Sequence, residues 1–374
     1  MVGISLTLLR TPPTYYDADL VLINALTNLH VGVGRSGGIV DLPVQRDELG
    51  YPCIYSSSIK GALKTTLLQA FTRLNHERAY TVVKALLGPE PEEGETFESS
   101  IAILDAYLIA MPVRSLKGVY AYVTAPILLD RFWERLELLK GVRGSLNLLG
   151  KLERPPLLDI GEEEALCMGG NCKDLIVEEL SDESVKRVVL GEHVLKLTEP
   201  DVDEQEKFKP FFDILGLEKP LLMVNDNTAK EIVERGLVRV TRVRLRRETK
   251  TVDTGGLWTE EYMPMRTRLH TLILYKRPSL TRSFIKGILG EQGDVGDREY
   301  LEALKKLGLI EDSDVSVIQS QLDERRVVEA SKALAKAIKE RVHSVLKESH
   351  KNYIIIGGNE TIGKGIVKLN LVRR

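Results

Sequence analysis

Residues 30–64, HVGVGRSGGIVDLPVQRDELGYPCIYSSSIKGALK, hold the groups that phosphate chemistry calls for within one short span. Gly32 and Gly34 lie in a glycine-rich turn, Asp41 is an isolated carboxylate, and Arg46 follows it. Ser57 and Ser58 then lead a helix start that carries Lys60, Gly61 and Lys64. Glycines let a backbone approach a ligand closely. A serine-led helix start offers free N–H groups to an anion. The span reads as a surface that grips a phosphate backbone, with one carboxylate beside it. Taken alone, Asp41 is equally an acceptor for a loop amide or for Arg46.

Two glycine motifs invite other readings and fail them. Gly32, Gly34 and Gly37 satisfy G-x-G-x-x-G, but the extended, proline-broken Ile39-Val40-Asp41-Leu42-Pro43 follows where a dinucleotide fold needs a helix. Gly358–Lys364 satisfies G-x-x-x-x-G-K, but Gly365 stands where magnesium needs a serine or threonine hydroxyl. Both loops still expose N–H groups to phosphate, and Lys364 adds a cation.

The elements that position these groups are legible in part. Residues 18–29 read as a strand entering the glycine turn. Residues 58–74 have the 3.6 period of an amphipathic helix, with Ile59, Ala62, Leu63, Leu67, Ala70, Phe71 and Leu74 on one face, Lys60 and Lys64 on the other, and Ser57 or Ser58 as cap. Residues 99–113 suit a buried strand, and 126–140, 298–307 and 327–346 suit helices. Residues 237–247 alternate, with Arg242, Arg244 and Arg246 facing one way and Val243 and Leu245 the other. Gly255-Gly256 can turn that strand into a hairpin spanning about 240–265. Strands 352–356 and 366–372 close the chain. From about 150 to 230 the chain is acidic and weakly periodic, an insertion in a smaller fold. Strands split by helices without regular βαβ spacing indicate an α+β class.

Composition narrows the partners. The 374 residues carry a net charge of −2, so the chain is not a globally basic binder. The charge is polarised, however: residues 159–206 hold fifteen acidic against four basic side chains, and 235–250 hold seven basic against one acidic. A polyanion favours the second region. No apolar run reaches the ~18 residues of a membrane span. The first residues lack a signal-peptide pattern, which suggests a cytoplasmic protein. Three cysteines, Cys53, Cys167 and Cys172, fit a reducing compartment. Cys167 and Cys172 flank MGGN as half of a metal site, but no second pair completes a zinc tetrahedron.

HVGVG at 30–34, VDLPVQRD at 40–47, GYPCIYSSSIKGALK at 50–64, AILDAYLIAMPVRSLKGVYAYVTAP at 102–126, TKTVDTGGLWTEEYMP at 249–264 and IGGNETIGKGIV at 356–367 stand in register with one family. In these segments the chain resembles the RAMP superfamily of CRISPR proteins, and more narrowly the backbone subunit of type III-B (Cmr) effector complexes. The resemblance implies a single RAMP domain over 1–374: a modified ferredoxin-like (RRM-like) palm with an inserted β-hairpin thumb and further insertions. It implies copies stacked in a filament along a CRISPR RNA, other Cmr-complex subunits as partners, and thumbs that splay the guide–target duplex. It further implies that target single-stranded RNA is cut at regular intervals by the aspartate after the first strand, here Asp41, with a divalent metal, Mg²⁺ or Mn²⁺.

On that resemblance Asp41 is the catalytic and metal-holding carboxylate. His30 assists proton transfer or merely satisfies a strand end. Glu260, Glu261 and Tyr262 at the thumb's base help orient the cut phosphate or are ordinary surface groups. Guide phosphates fall to Gly32, Gly34, Arg46, Ser57, Ser58, Lys60, Gly61, Lys64 and Lys364, and backbone phosphates or a neighbouring subunit to Arg242, Arg244 and Arg246. Trp258 stacks on a base or packs on its own palm. Three rival readings share the fold: a non-catalytic RNA-binding scaffold, the related type III-A backbone subunit, and a metal-free precursor-RNA nuclease that relies on His30.

Overall fold

The computed structural model describes residues 8–10, 14–74, 77–94, 96–142, 154, 158–179, 186–290 and 292–372. The first strand, β1 (Asp17–Ala25), is buried on both faces, so its place is central. The helix α1 (Ser56–Arg73) follows the glycine turn and α2 (Ala79–Leu87) packs beside it. The apolar run expected as one strand is two, β2 (Ile101–Ile103) and β3 (Tyr107–Arg114), because Asp105 leaves the ladder. β4 (Tyr120–Thr124) leads into α3 (Pro126–Gly141), where proline sits in the first turn.

The acidic region is more regular than its pattern suggests. It forms β5 (Glu164–Gly169), β6 (Glu178–Glu179), β7 (Lys186–Leu190), β8 (His193–Thr198), α4 (Val202–Leu215) and β9 (Leu221–Met223). Strands this short carry too few residues to show a period. Its expected beginning near 150 lies outside the described residues. α5 (Asp226–Gly236) then leads to the two long strands of the thumb, β10 (Val238–Leu245) and β11 (Val252–Tyr262). After β12 (Arg268–Tyr275) come α6 (Arg282–Leu289), α7 (Asp297–Lys306), α8 (Asp312–Asp323) and α9 (Val327–His350). β13 (Tyr353–Ile355) and β14 (Ile366–Leu371) complete the chain.

In space, β14, β1, β12 and β3 are neighbours, all antiparallel. Val21 sits between Thr271 and Leu371. With α1 after β1 and α9 before β14, this is the ferredoxin-like order. The sheet continues from β3 through β4, β9, β5, β8 and β7 to β6, so the acidic region extends the palm rather than hanging from it. β1 explains the two cores. Val21 and Ile23 join Leu63, Phe71, Leu334 and Ile338 under α1 and α9. Leu20 and Leu22 join Phe132, Leu136, Phe211 and Leu272 under α3 and α4. Each fully buried side chain of this size contributes about 1.5–3 kcal/mol. Among the described residues no helix is long and apolar enough to cross a membrane.

Three local expectations are corrected. Gly255-Gly256 does not turn the hairpin. The turn is at Arg246–Thr251, where the Arg246 N–H donates to the Thr251 carbonyl at 2.8 Å. The glycines lie within β11 at a break in register opposite Arg244: Gly255 is left-handed (φ +69°), and a Cβ on Gly256 would lie 2.9 Å from the Arg244 carbonyl oxygen. Cys167 and Cys172, which lack the second pair a zinc site needs, are joined in a disulfide, and this runs against the reducing compartment that the scarcity of cysteine suggests. Neither Ser57 nor Ser58 caps α1. Tyr55 holds the cap position, and the Ser56 N–H donates to Asp105 Oδ1 at 2.6 Å. Asp105→Ala is therefore expected to cost about 1 kcal/mol in urea unfolding, and Ser57→Ala less than about 0.5 kcal/mol. The reverse order would return the cap to the serine.

Candidate active site at the base of the thumb

Backbone pairing brings three distant segments together. Leu29 bridges Met263, Gly32 bridges Val44, and Leu42 runs parallel to Glu260. The Leu42 N–H donates to the Thr259 carbonyl and the Glu261 N–H to the Leu42 carbonyl, both at 3.0 Å. Asp41 therefore sits where its loop joins β11. The Thr259 N–H donates to Asp41 Oδ2 at 2.7 Å, while Oδ1 has no partner among the described residues. The Ser36 N–H donates to the Asp41 carbonyl at 2.8 Å and closes the glycine loop over it.

Strand alternation sends Trp258, Glu260 and Tyr262 to one face of β11 and Glu261 to the other. On the first face Glu260 accepts from Trp258 Nε1 (2.8 Å), Arg242 Nε (3.2 Å), Asn359 Nδ2 (3.1 Å) and the Tyr262 hydroxyl. Burial works to raise the Glu260 carboxyl, but hydrogen bonds from Tyr262, Trp258 and Arg242 outweigh it and hold it below the usual carboxylate range. Tyr262 is fully buried, and that burial, with Glu260 beside it, raises its hydroxyl. On the second face Glu261, 1% exposed, accepts from Arg46 Nη2 (3.0 Å), Arg239 Nε (3.3 Å) and the Val44 N–H (3.3 Å). Glu234 of α5 also binds both arginines.

His30 lies between the faces. Its Nδ1 donates to the Glu261 carbonyl at 2.7 Å, which assigns the proton to Nδ1, and its ring tilts onto Tyr262 with centroids 5.4 Å apart. A Cβ on Gly32 would lie 2.8 Å from His30 Nε2, so any larger residue there would displace the imidazole. Asp41, His30, Glu260, Glu261 and Tyr262 thus converge on residues 259–262. Glu260 and Glu261 are buried, not the surface carboxylates the sequence also allows.

The expected phosphate ligands divide. Arg46 and Arg242 are committed to Glu261 and Glu260, and Arg244 and Arg246 share Asp253 at 3.1 and 3.4 Å. Lys64 is paired with Glu90 at 2.5 Å. Trp258 is half-buried, and its indole N–H donates to Glu260 Oε1. Ser58 accepts from Gln45 Nε2, while Ser57 and Gly61 stay exposed. Lys60 has no carboxylate partner among the described residues, and burial, then the neighbouring Lys64, lowers its ammonium. Gly34 is left-handed (φ +92°) and open. Lys364 stands 5.6 Å over the Tyr262 ring.

Sequence reasoning missed Arg239, Glu234 and Asn359, because each acts through a partner distant in sequence. It also missed that Val243, Leu245, Val252 and Leu257 leave an exposed apolar face on the thumb, although the alternation of 238–245 carries that signal. No three His, Cys, Asp or Glu among the described residues form a ligand set. One oxygen of Asp41 does not by itself fit a resident divalent ion, which requires six or more donors.

The RAMP superfamily model matches residues 22–368. The CRISPR system Cmr endoribonuclease Cmr4 of Pyrococcus furiosus is 29% identical over 362 residues, 95% of each chain. The CRISPR system CMR subunit Cmr4 of Saccharolobus solfataricus is 31% identical over 296 residues, 74% of this chain and 90% of that one. Chains of the type III-B Cmr-beta assembly, solved by cryo-EM, share the fold over 96% of this chain. The apo state gives a TM-score of 0.60, 28% identity and 99% coverage of that chain; the state bound to cognate target RNA gives 0.58, 27% and 98%.

Because the folded Glu260 carboxyl titrates below its ordinary 4.5, its stabilisation is complete above about pH 4.5 and fades as pH falls through the lower folded value. Glu260→Gln should therefore lose about 1–2 kcal/mol at pH 7. That deficit should narrow toward pH 3 in thermal unfolding followed across pH, and a constant deficit would contradict the charged network.

Proposed function

This chain belongs to the RAMP superfamily, and within it to the Cmr4 family; on that premise we propose that it is a CRISPR-RNA-binding backbone subunit of a type III-B effector complex. In that role it stacks with copies of itself and other Cmr subunits in the cytoplasm and cleaves complementary target single-stranded RNA at intervals. The observation that carries the catalytic assignment is Asp41, fixed through Oδ2 to the thumb base with Oδ1 free among the described residues.

Cleavage requires a 2′-hydroxyl or water to be activated and the charge developing on phosphate to be stabilised. The free Asp41 oxygen is the group held where a scissile phosphate entering between glycine loop and thumb would meet it. Glu260 and Tyr262, locked by Arg242 and Asn359, present a fixed hydroxyl–carboxylate pair on the same thumb strand, and His30 Nε2 is the remaining proton acceptor. Divalent metal, Mg²⁺ or Mn²⁺, supplies charge stabilisation when present, and we propose that it is shared between the RNA phosphate and Asp41 rather than resident in the chain. Lys60, Lys364 and the amides of the two glycine loops hold guide phosphates. The exposed apolar thumb face receives splayed bases, a role the sequence had offered to Trp258.

Two tests follow. Asp41→Asn keeps an acceptor for Thr259 but removes the charge. Assembled on guide RNA, it should lose target cleavage while guide binding stays within about twofold, and EDTA should abolish cleavage in the parent. Retained cleavage by Asp41→Asn would leave a scaffold or a His30 nuclease, and the latter also survives EDTA. Guide affinity should fall with salt at a log–log slope of roughly 0.7 per phosphate neutralised. A flat response would remove the phosphate cradle.

A further inference from the structure

We propose that Asn359 is a positioning residue for cleavage: its side-chain amide sets Glu260 and Tyr262 against each other at the thumb base. This rests on the cleavage reading above. Asn359 Nδ2 lies 3.1 Å from both Glu260 Oε2 and the Tyr262 hydroxyl. A carboxylate only accepts, so the amide nitrogen, not its oxygen, faces the pair. The residue holds a left-handed backbone (φ +66°) that asparagine tolerates better than most.

The loop that carries Asn359 is pinned to the histidine segment. The Gly358 N–H donates to the His30 carbonyl at 2.9 Å, and the Gly365 N–H donates to the Asn28 carbonyl at 3.1 Å. A Cβ on Gly357 would lie 2.1 Å from the His30 carbonyl oxygen, so the loop cannot approach this closely with a larger residue. Asn359 therefore arrives from the last loop of the chain on a backbone that also anchors His30. It is the one side chain outside the two thumb strands that donates to Glu260 among the described residues.

The polar groups facing Glu260 are Tyr262 and Trp258 from β11, Arg242 from β10 and Asn359 from the terminal loop. Lys364 and His30 face the Tyr262 ring. Removing the amide takes one donor from Glu260 and frees the Tyr262 hydroxyl on one side. The carboxyl then binds its proton more readily, and the pair loses its fixed orientation.

The test uses the complex assembled on guide RNA, with a complementary target RNA and cleavage rates measured from about pH 3.5 to 9, so that the range spans the Glu260 titration. Asn359→Gly preserves the left-handed backbone and deletes the amide. It should cut about tenfold more slowly, with the acid limb of the pH profile moved to higher pH and guide binding unchanged. Asn359→Asp keeps size and backbone but places a carboxylate against Glu260, so its loss and its shift should both be larger. A parental profile in both variants overturns the proposal. So does an equal loss at every pH with weakened guide retention, which would mark a merely structural role. Asp41→Asn run alongside separates the two readings: if it cuts, the cleavage site itself is misplaced; if it is silent while both Asn359 variants match the parent, Asn359 alone is wrong.

Discussion

The short parallel pairing of Leu42 with Glu260 is the constraint on which the site depends. Residues 41–46 and 259–262 are more than 200 positions apart, and neither segment has a partner of its own in the palm sheet. Their backbones satisfy each other through Leu42, Thr259 and Glu261. A buried amide left unpaired costs about 1–3 kcal/mol, so the loop cannot drift from the thumb without losing several such bonds together. Asp41 inherits its position from that ladder, since the amide it accepts from belongs to the same strand.

Charge then decides which cations remain for a ligand. Glu261 is buried, and a buried charge is costly unless it is paired. Arg46 and Arg239 supply the pairing, with Glu234 balancing their excess. Arg242 does the same for Glu260. The basic stretch at 235–250, which reads as a magnet for polyanions, is thus partly a set of internal counter-ions. Its local charge in the folded protein is smaller than the sequence count suggests.

The sequence resolves what long periods encode. β1, α1, α3 and α9 all fall where apolar spacing places them, because each spans enough residues for one face to repeat. The thumb strands are found from alternation, but their turn is not: Gly255-Gly256 mark a bulge where the backbone passes close to Arg244, a requirement glycine meets as readily as it meets a turn. The Asn225 and Thr281 caps of α5 and α6 are present in the sequence, yet helices of eleven and eight residues are too short to make them stand out. α4 hides behind Pro210. Asp105 as the partner of the α1 start is invisible because the donor lies 49 positions away.

For the site, residue types were legible and states were not. Spacing picks out Asp41, His30 and the Glu-Glu-Tyr run, yet it cannot say that Glu260 and Glu261 point to opposite networks, because that follows from which face of β11 meets α5 and which meets the terminal loop. The two networks have different physical characters. The Glu261 side is ionic and made by arginines from the Asp41 loop and the thumb, so it ties the two together. The Glu260 side is mostly built of neutral donors (a hydroxyl, an indole and an amide) around one charge. Arg242 offsets the Glu260 charge, and the neutral donors fix where its two oxygens lie. That asymmetry places an ionic fastening on one face of β11 and a mostly neutral one on the other, with Asp41 held at the strand's backbone edge.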